Sequence, residues 1–183
     1  MPLHPSTWRA SVVAGDGRWS EAMQSAASDP LDRVALAFDR SGRGVVRGAT
    51  LAAIGVTLTH RRRWRALQAF AVAEAVTPLA VNAVKLVVSR ERPAAARVDP
   101  FGTSFPSGHA AYAGATTVAV VRLVADGDAP PAWMWTAAAA GTAGMVWSRT
   151  HLQAHWLSDV VAGAALGAGV SLVVFALIGP RQL

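Results

Sequence analysis

His155 and Asp159 are four residues apart, and spacing of that kind puts two side chains on one face of a helix. A carboxylate beside one ring nitrogen fixes the tautomer of an imidazole and leaves a lone pair on the other nitrogen. That pairing equips His155 as a nucleophile, and a second histidine, His109, as an acid for the departing oxygen. Lys85, Arg92 and Arg149 add three cationic donors, two of them planar forks matched to phosphate oxygens. Ser107 and Gly108 follow Pro106, where a helix can begin and aim its free N–H groups at an anion. The set as a whole suits transfer of a phosphoryl group. A divalent ion on His109, His155 and Asp159 is the rival reading. Three neighbouring cations disfavour it, and no second carboxylate is near in sequence. The expected site therefore uses neither metal nor cofactor. His151 is read as a rim residue or a headgroup contact, whereas His4 and His60 have no constellation around them.

The elements that must position these groups are membrane helices. Charged residues make up only 15% of the chain and apolar ones 52%, against about a quarter charged in ordinary soluble domains. A soluble protein of this size has too much surface to hide so many apolar side chains. Val160 to Ile178 and Ala129 to Trp147 are each 19 residues without a formal charge, and Ser107 to Val121 is 15. Leu67 to Val88 is 22 residues long and carries Glu74 and Lys85. A bilayer core takes roughly 20 helical residues, so the chain reads as an all-α, polytopic transmembrane bundle with four firm spans. Val45 to Thr59, short and carrying Arg47, is a weaker fifth. Helix alternation then brings Lys85, His109, Arg149, His155 and Asp159 to one side of the membrane. Polar groups at that depth call for a function.

Residues 1–41 read as an N-terminal interfacial region. Gly15 and Gly17 suggest a turn, and Asp29-Pro30 suggests the start of a helix. The apolar face Leu31, Val34, Ala35 and Phe38 suits either the interface or packing on the bundle. Gly42 and Gly44 end that helix. His60 to Arg65 is a basic turn, residues 89–106 hold three prolines and form a loop, residues 125–131 are a linker, and Ser148 to Gln153 is a short connection. Gly141 with Gly144, and Gly163 with Gly167, are small-residue pairs that serve intramolecular packing or a homo-oligomer equally well. With no cysteine there are no disulfides, and no basic stretch leads into an early apolar run, so a cleaved signal peptide is not expected. The formal charge of +6 fits anionic lipid neighbours rather than nucleic acid.

Three motifs carry a resemblance. Lys85, six intervening residues and Arg92-Pro93 form the first, Pro106-Ser107-Gly108-His109 the second, and Ser148-Arg149, five residues, His155, three residues and Asp159 the third. In order and spacing the chain resembles the type 2 phosphatidic acid phosphatase superfamily, also called the acid phosphatase and vanadium haloperoxidase superfamily. The resemblance covers roughly residues 45–178 and marks 42–183 as a transmembrane phosphatase domain. It implies a phosphate pocket of Lys85, Arg92, Ser107, Gly108 and Arg149, a phosphohistidine on His155 supported by Asp159, and His109 as acid and then as base. Members usually have six spans, and this chain is similar to the short actinobacterial ones. Gln153 stands where many relatives have Gly and Leu157 where many have Pro, which points to altered headgroup fit.

The resemblance implies a lipid phosphate as substrate, among membrane lipids. The Ala-, Gly- and Arg-rich, lysine-poor composition suggests a high-GC bacterium, and the likeness of the short chain to actinobacterial cell-wall lipid phosphatases implies decaprenylphosphoryl-5-phosphoribose or a related polyprenyl phosphate, with phosphatidylglycerophosphate, phosphatidic acid and polyprenyl diphosphate as alternatives. A haloperoxidase, and a non-catalytic membrane scaffold or lipid transporter, are the rivals from other classes. The basic residues do not choose an orientation: Arg61, Arg62, Arg63, Arg65, Arg122 and Arg181 on the face away from the site nearly balance Arg40, Arg43, Arg47, Arg90 and Arg97 on the site face.

Overall fold

The computed structural model describes residues 5–99, 101–125 and 130–180, with side chains from residue 9 onward. Residues 126–129 of the linker, together with His4 and Arg181, lie outside the described residues. Seven helices and no strand occur among them: α1 Pro5–Ser25, α2 Asp29–Ser41, α3 Gly44–His60, α4 Trp64–Val87, α5 Gly108–Val124, α6 Ala132–His151 and α7 Leu157–Ile178.

Small residues set the centre of the bundle. A Cβ on Gly163, Gly167 or Gly114 would collide with the backbone of Ser107, Ala111 or Ala164 respectively, so α5 and α7 touch along their main chains. Ala110, Ala111, Ala115 and Ala119 of α5 are buried along this seam. Close backbone approach provides dispersion contact that hydrophobic exclusion cannot supply in lipid. The Gly163 and Gly167 face is thus filled by α5 of the same chain, which leaves no room there for a second copy. Gly144 is likewise covered, by Phe38 of α2. At the end away from the site, Leu58, Phe70, Val174 and Phe175 close the core.

The outward surface is apolar. Leu86, Val87, Leu177, Val45 and Val56 are each more than 65% exposed, which suits lipid rather than water. Among the described residues α4, of 24 residues, and α7, of 22, are long and apolar enough to cross a membrane.

Two local expectations change, one holds, and one open alternative is resolved. Helix α1 runs unbroken through Gly15 and Gly17, because single glycines weaken a helix without ending it. Helix α2 starts at Asp29-Pro30 as expected, with Ser28 as its N-cap. The connection before α7 is Leu152 to Trp156, since α6 continues through Arg149 to His151. Helix α2 packs on α6 and buries Ala35 and Asp39. Helices α1 and α2 are therefore fastened to the end of the bundle where the polar residues gather.

Candidate active site

Lys85, Arg92, Gly108, His109, Arg149 and His155 line one cavity of about 300 Å³, together with Arg43, Asn82, Asp99, Phe101 and Tyr112 among others. Five pieces of chain deliver them: the start of α3, the end of α4, the loop 88–107, the start of α5, and the end of α6 with the connection to α7.

The loop holds its cations with neutral carbonyls. Lys85 Nζ donates to Thr103 O at 2.6 Å. Arg92 donates to Ala154 O at 2.6 Å, Phe101 O at 2.9 Å and Gly102 O at 3.0 Å. Carbonyls orient a guanidinium without cancelling its charge, so the field of both residues stays available to an anion.

His155 precedes α7 instead of lying on it: Trp156 is the N-cap and Asp159 the third helical residue. The ring is 4% exposed. Its Nδ1 faces Asp159 Oδ2 at 3.7 Å, which favours the Nδ1–H tautomer. Its Nε2 lies 3.2 Å from Arg92 Nη1, so the nitrogen with the lone pair stands beside a guanidinium. Burial pushes the imidazole down to about 4, and Arg92 and Arg149 add to the effect against the opposing pull of Asp159. A neutral ring at physiological pH follows. Arg92 itself is lowered by burial, partly offset by Asp159.

Asp159 stands behind the cavity wall and is fully buried. Arg90 Nη1 donates to its Oδ1 at 2.7 Å, while Ser104 Oγ at 2.5 Å and Trp156 N at 3.0 Å donate to Oδ2. Asp16 of α1 extends this network, accepting from Arg90 at 2.6 Å and from the backbone N of Ser158 at 2.8 Å. Arg90, counted from sequence as a topology residue, is therefore the clamp on the carboxylate that faces His155.

Arg149, 4% exposed, is held by Asp39 of α2. The same carboxylate meets Arg43 at 2.5 Å and faces His109 Nε2 at 3.7 Å. Arg149 Nε and His109 Nε2 are buried without a hydrogen-bond partner. Unsatisfied polar atoms at this depth are costly unless a ligand meets them. Sequence reasoning missed Asp39, although one signal existed: it follows Leu31 and Ala35 at four-residue steps, a charge on an otherwise apolar stripe.

Three expected residues stand elsewhere. Ser107 does not line the cavity; it is the N-cap of α5, its Oγ accepting from Ala110 N at 3.5 Å. His151 is fully buried, stacked on Trp147 with ring centroids 4.9 Å apart and bonded to Asp32 at 2.7 Å. That contact, with Arg97 adding, holds the Asp32 carboxyl below its usual range. Gln153 is 1% exposed and has a φ of 53°, the left-handed region where glycine is favoured. Its amide binds Thr150 O at 2.9 Å and accepts from Ser20 Oγ at 2.5 Å, so the side chain ties α1 to the catalytic connection. His151 and Gln153 are thus braces under α1 and α2, not headgroup contacts. Leu157 stands at the first position of α7, where a proline fits equally well.

Comparison with known proteins gives the same picture. The pattern of the PAP2 superfamily matches residues 63–182. The chain is 35% identical over 168 residues to a decaprenylphosphoryl-5-phosphoribose phosphatase of Mycobacterium tuberculosis (strain CDC 1551 / Oshkosh), covering 88% of this chain and 89% of that one. The phosphatase of the same name from strain ATCC 25618 / H37Rv matches equally. Among solved structures, a transmembrane PAP2 type phosphatidylglycerolphosphate phosphatase from Bacillus subtilis superposes with a TM-score of 0.79 at 22% identity, covering 91% of this chain and 85% of that one. Aquifex aeolicus LpxE superposes with a TM-score of 0.71 at 18% identity, covering 86% of this chain and 92% of that one. By sequence match, fold and the cavity around His155, the chain belongs to the PAP2 superfamily and is a phosphatase.

Proposed function

We propose that this phosphatase crosses the membrane with α3 to α7 and removes the terminal phosphate of a prenyl-linked phosphoribose through a phosphohistidine on His155. One observation carries the chemistry: His155 Nε2 and Arg92 Nη1 are 3.2 Å apart on a cavity that Lys85, Arg149 and His109 also line. The 35% identity to a decaprenylphosphoryl-5-phosphoribose phosphatase supports the substrate.

Lys85, Arg92, Arg149 and the first N–H groups of α5 hold the three non-bridging oxygens. The Nε2 lone pair attacks phosphorus, the bond from phosphorus to the ester oxygen breaks in line, and protonated His109 gives its proton to that oxygen. The lipid alcohol leaves. His109, now neutral, takes a proton from water as the water oxygen bonds to phosphorus, and the P–N bond breaks. Inorganic phosphate and neutral His155 result, so protons and electron pairs balance. The Asp39 carboxylate lies 3.7 Å from His109 Nε2, the ring nitrogen that faces the pocket's counter-ion.

Phosphate release from a panel of lipid phosphates tests this reading, run with EDTA present and across pH. A prenylphosphoryl-5-phosphoribose is expected to be the best substrate, and orthovanadate to inhibit as a trigonal-bipyramidal mimic. Because burial holds His155 near 4, the acid limb of kcat/KM rises as pH rises through about 4, well below the 6.5 of an unperturbed imidazole. No release from any lipid overturns the reading, and an acid limb at the unperturbed value removes the buried nucleophile from it.

A further inference from the structure

The catalytic cavity does not end at His109. His109 and Tyr112 also line a second cavity of about 290 Å³, which runs between α3 and the α5–α6 pair past Leu51, Thr116, Val120 and Met145. Val120 leads on to a third, of about 430 Å³, lined by Ile54, Leu58, Leu123 and Val124. The three together make a path from a cationic pocket past a neck of Arg47, Tyr112 and Thr116 to a largely aliphatic groove that ends at Arg61 and Arg63.

Two arginines flank the neck. Arg43, the N-cap of α3, lines the catalytic cavity, and its side chain is 54% exposed. Its carboxylate partner, Asp39, simultaneously holds Arg149. Arg47, one turn further along α3, lines the second cavity with its guanidinium 4.1 Å from the centre of the Tyr112 ring. Glu74 takes one end of that fork, at Nη2. Both cations therefore lie on the His109 side of the pocket. In-line displacement fixes what occupies that side, because the leaving group departs opposite the attacking His155 and next to the acid that protonates it.

The geometry points to a second anion subsite, formed by Arg43 and Arg47 at the neck, for a phosphodiester that stays on the lipid after the terminal phosphate is removed. This rests on the phosphatase reading above and narrows its substrate class. Lipids whose leaving group retains a phosphodiester engage both sites, whereas those with a single phosphate engage one. Tyr112 closes the subsite with a ring face that Arg47 stacks on, and the threonines beyond it mark where the headgroup gives way to hydrocarbon.

Two lipids with the same short prenyl chain test it: farnesylphosphoryl-5-phosphoribose, which keeps a phosphodiester, and farnesyl monophosphate, which keeps none. The variants are Arg43→Gln and the double Arg47→Gln/Glu74→Gln, the latter removing an ion pair whole so that no carboxylate is stranded in the bundle. Each is expected to lower the ratio of kcat/KM for the two lipids, diester-bearing over plain, by about tenfold, chiefly through KM. An equal loss with both lipids overturns the subsite. Binding of both lipids to the His155→Ala protein, with and without Arg43→Gln, gives an answer that needs no turnover. Loss of the preference for the diester-bearing lipid on adding Arg43→Gln supports the subsite, and absence of any preference overturns it. Should the unaltered protein hydrolyse neither lipid, the phosphatase reading falls while this binding comparison still decides the subsite.

Discussion

His155→Ala is expected to lower phosphate release by about 10⁴-fold or more, because the variant loses the one imidazole whose Nε2 stands beside Arg92 on the cavity. The ring sits in the connection Leu152 to Trp156, after α6 has ended and before α7 begins, so its removal leaves both helices intact. Asp159 keeps its bonds from Arg90, Ser104 and Trp156 in the variant. Purified in detergent, His155→Ala is therefore expected to melt within a few degrees of the unaltered protein and still to bind vanadate through Lys85, Arg92 and Arg149. Activity within tenfold of the unaltered protein would remove His155 from the nucleophile's role, whatever the melting behaviour.

Asp39→Asn is the second large effect, and it arises from an element that lies outside all three motifs. The carboxylate is fully buried and accepts from Arg149, itself 4% exposed. Neutralising it strands a guanidinium in a protein interior, which costs about 3–5 kcal/mol when one partner of a buried pair is removed. The melting temperature is expected to fall by roughly 10 °C for a chain of this length. Vanadate supplies the missing negative charge and is expected to restore most of that loss, an outcome that a general packing defect would not show. Turnover falls about a hundredfold, since the Arg149 fork and the His109 ring lose the group that orients them. A variant that melts like the unaltered protein in the absence of vanadate would show that Asp39 is not the counter-ion of Arg149.

These residues also mark how much of the site was legible in the sequence. Lys85, Arg92, Gly108, His109, Arg149 and His155 were readable because each motif is local, and because alternating helices return motif ends to one side of a bundle. Asp159 was readable for the same reason, although its main partners were not. Arg149 meets Asp39 across 110 residues of sequence, and Arg90 meets Asp16 across 74. A pairing of that kind depends on where α1 and α2 dock, and amphipathic patterning leaves docking open. The helices themselves followed from uncharged runs, but α3 carries Arg47, whose meaning appears only with Glu74 and Tyr112 beside it. Gln153 shows the converse. Its departure from the family's glycine was visible, yet the assignment as a headgroup contact failed, because a left-handed backbone turns its side chain under α1. The glycine pair Gly163 and Gly167 was read correctly as a close-packing face, and only the coordinates assign that face to α5.

Both large effects depend on a covalent bond between phosphorus and one imidazole nitrogen, and that bond can be trapped. Protein incubated briefly with a terminally ³²P-labelled prenylphosphoryl-5-phosphoribose and quenched in alkali should carry label that is stable in base, lost in acid, and located on the peptide containing His155. His109→Ala, which slows hydrolysis of the intermediate, should raise the labelled fraction wherever loss of the acid slows formation less. Label on any other residue, or turnover with no labelled protein at any quench time, would contradict the account.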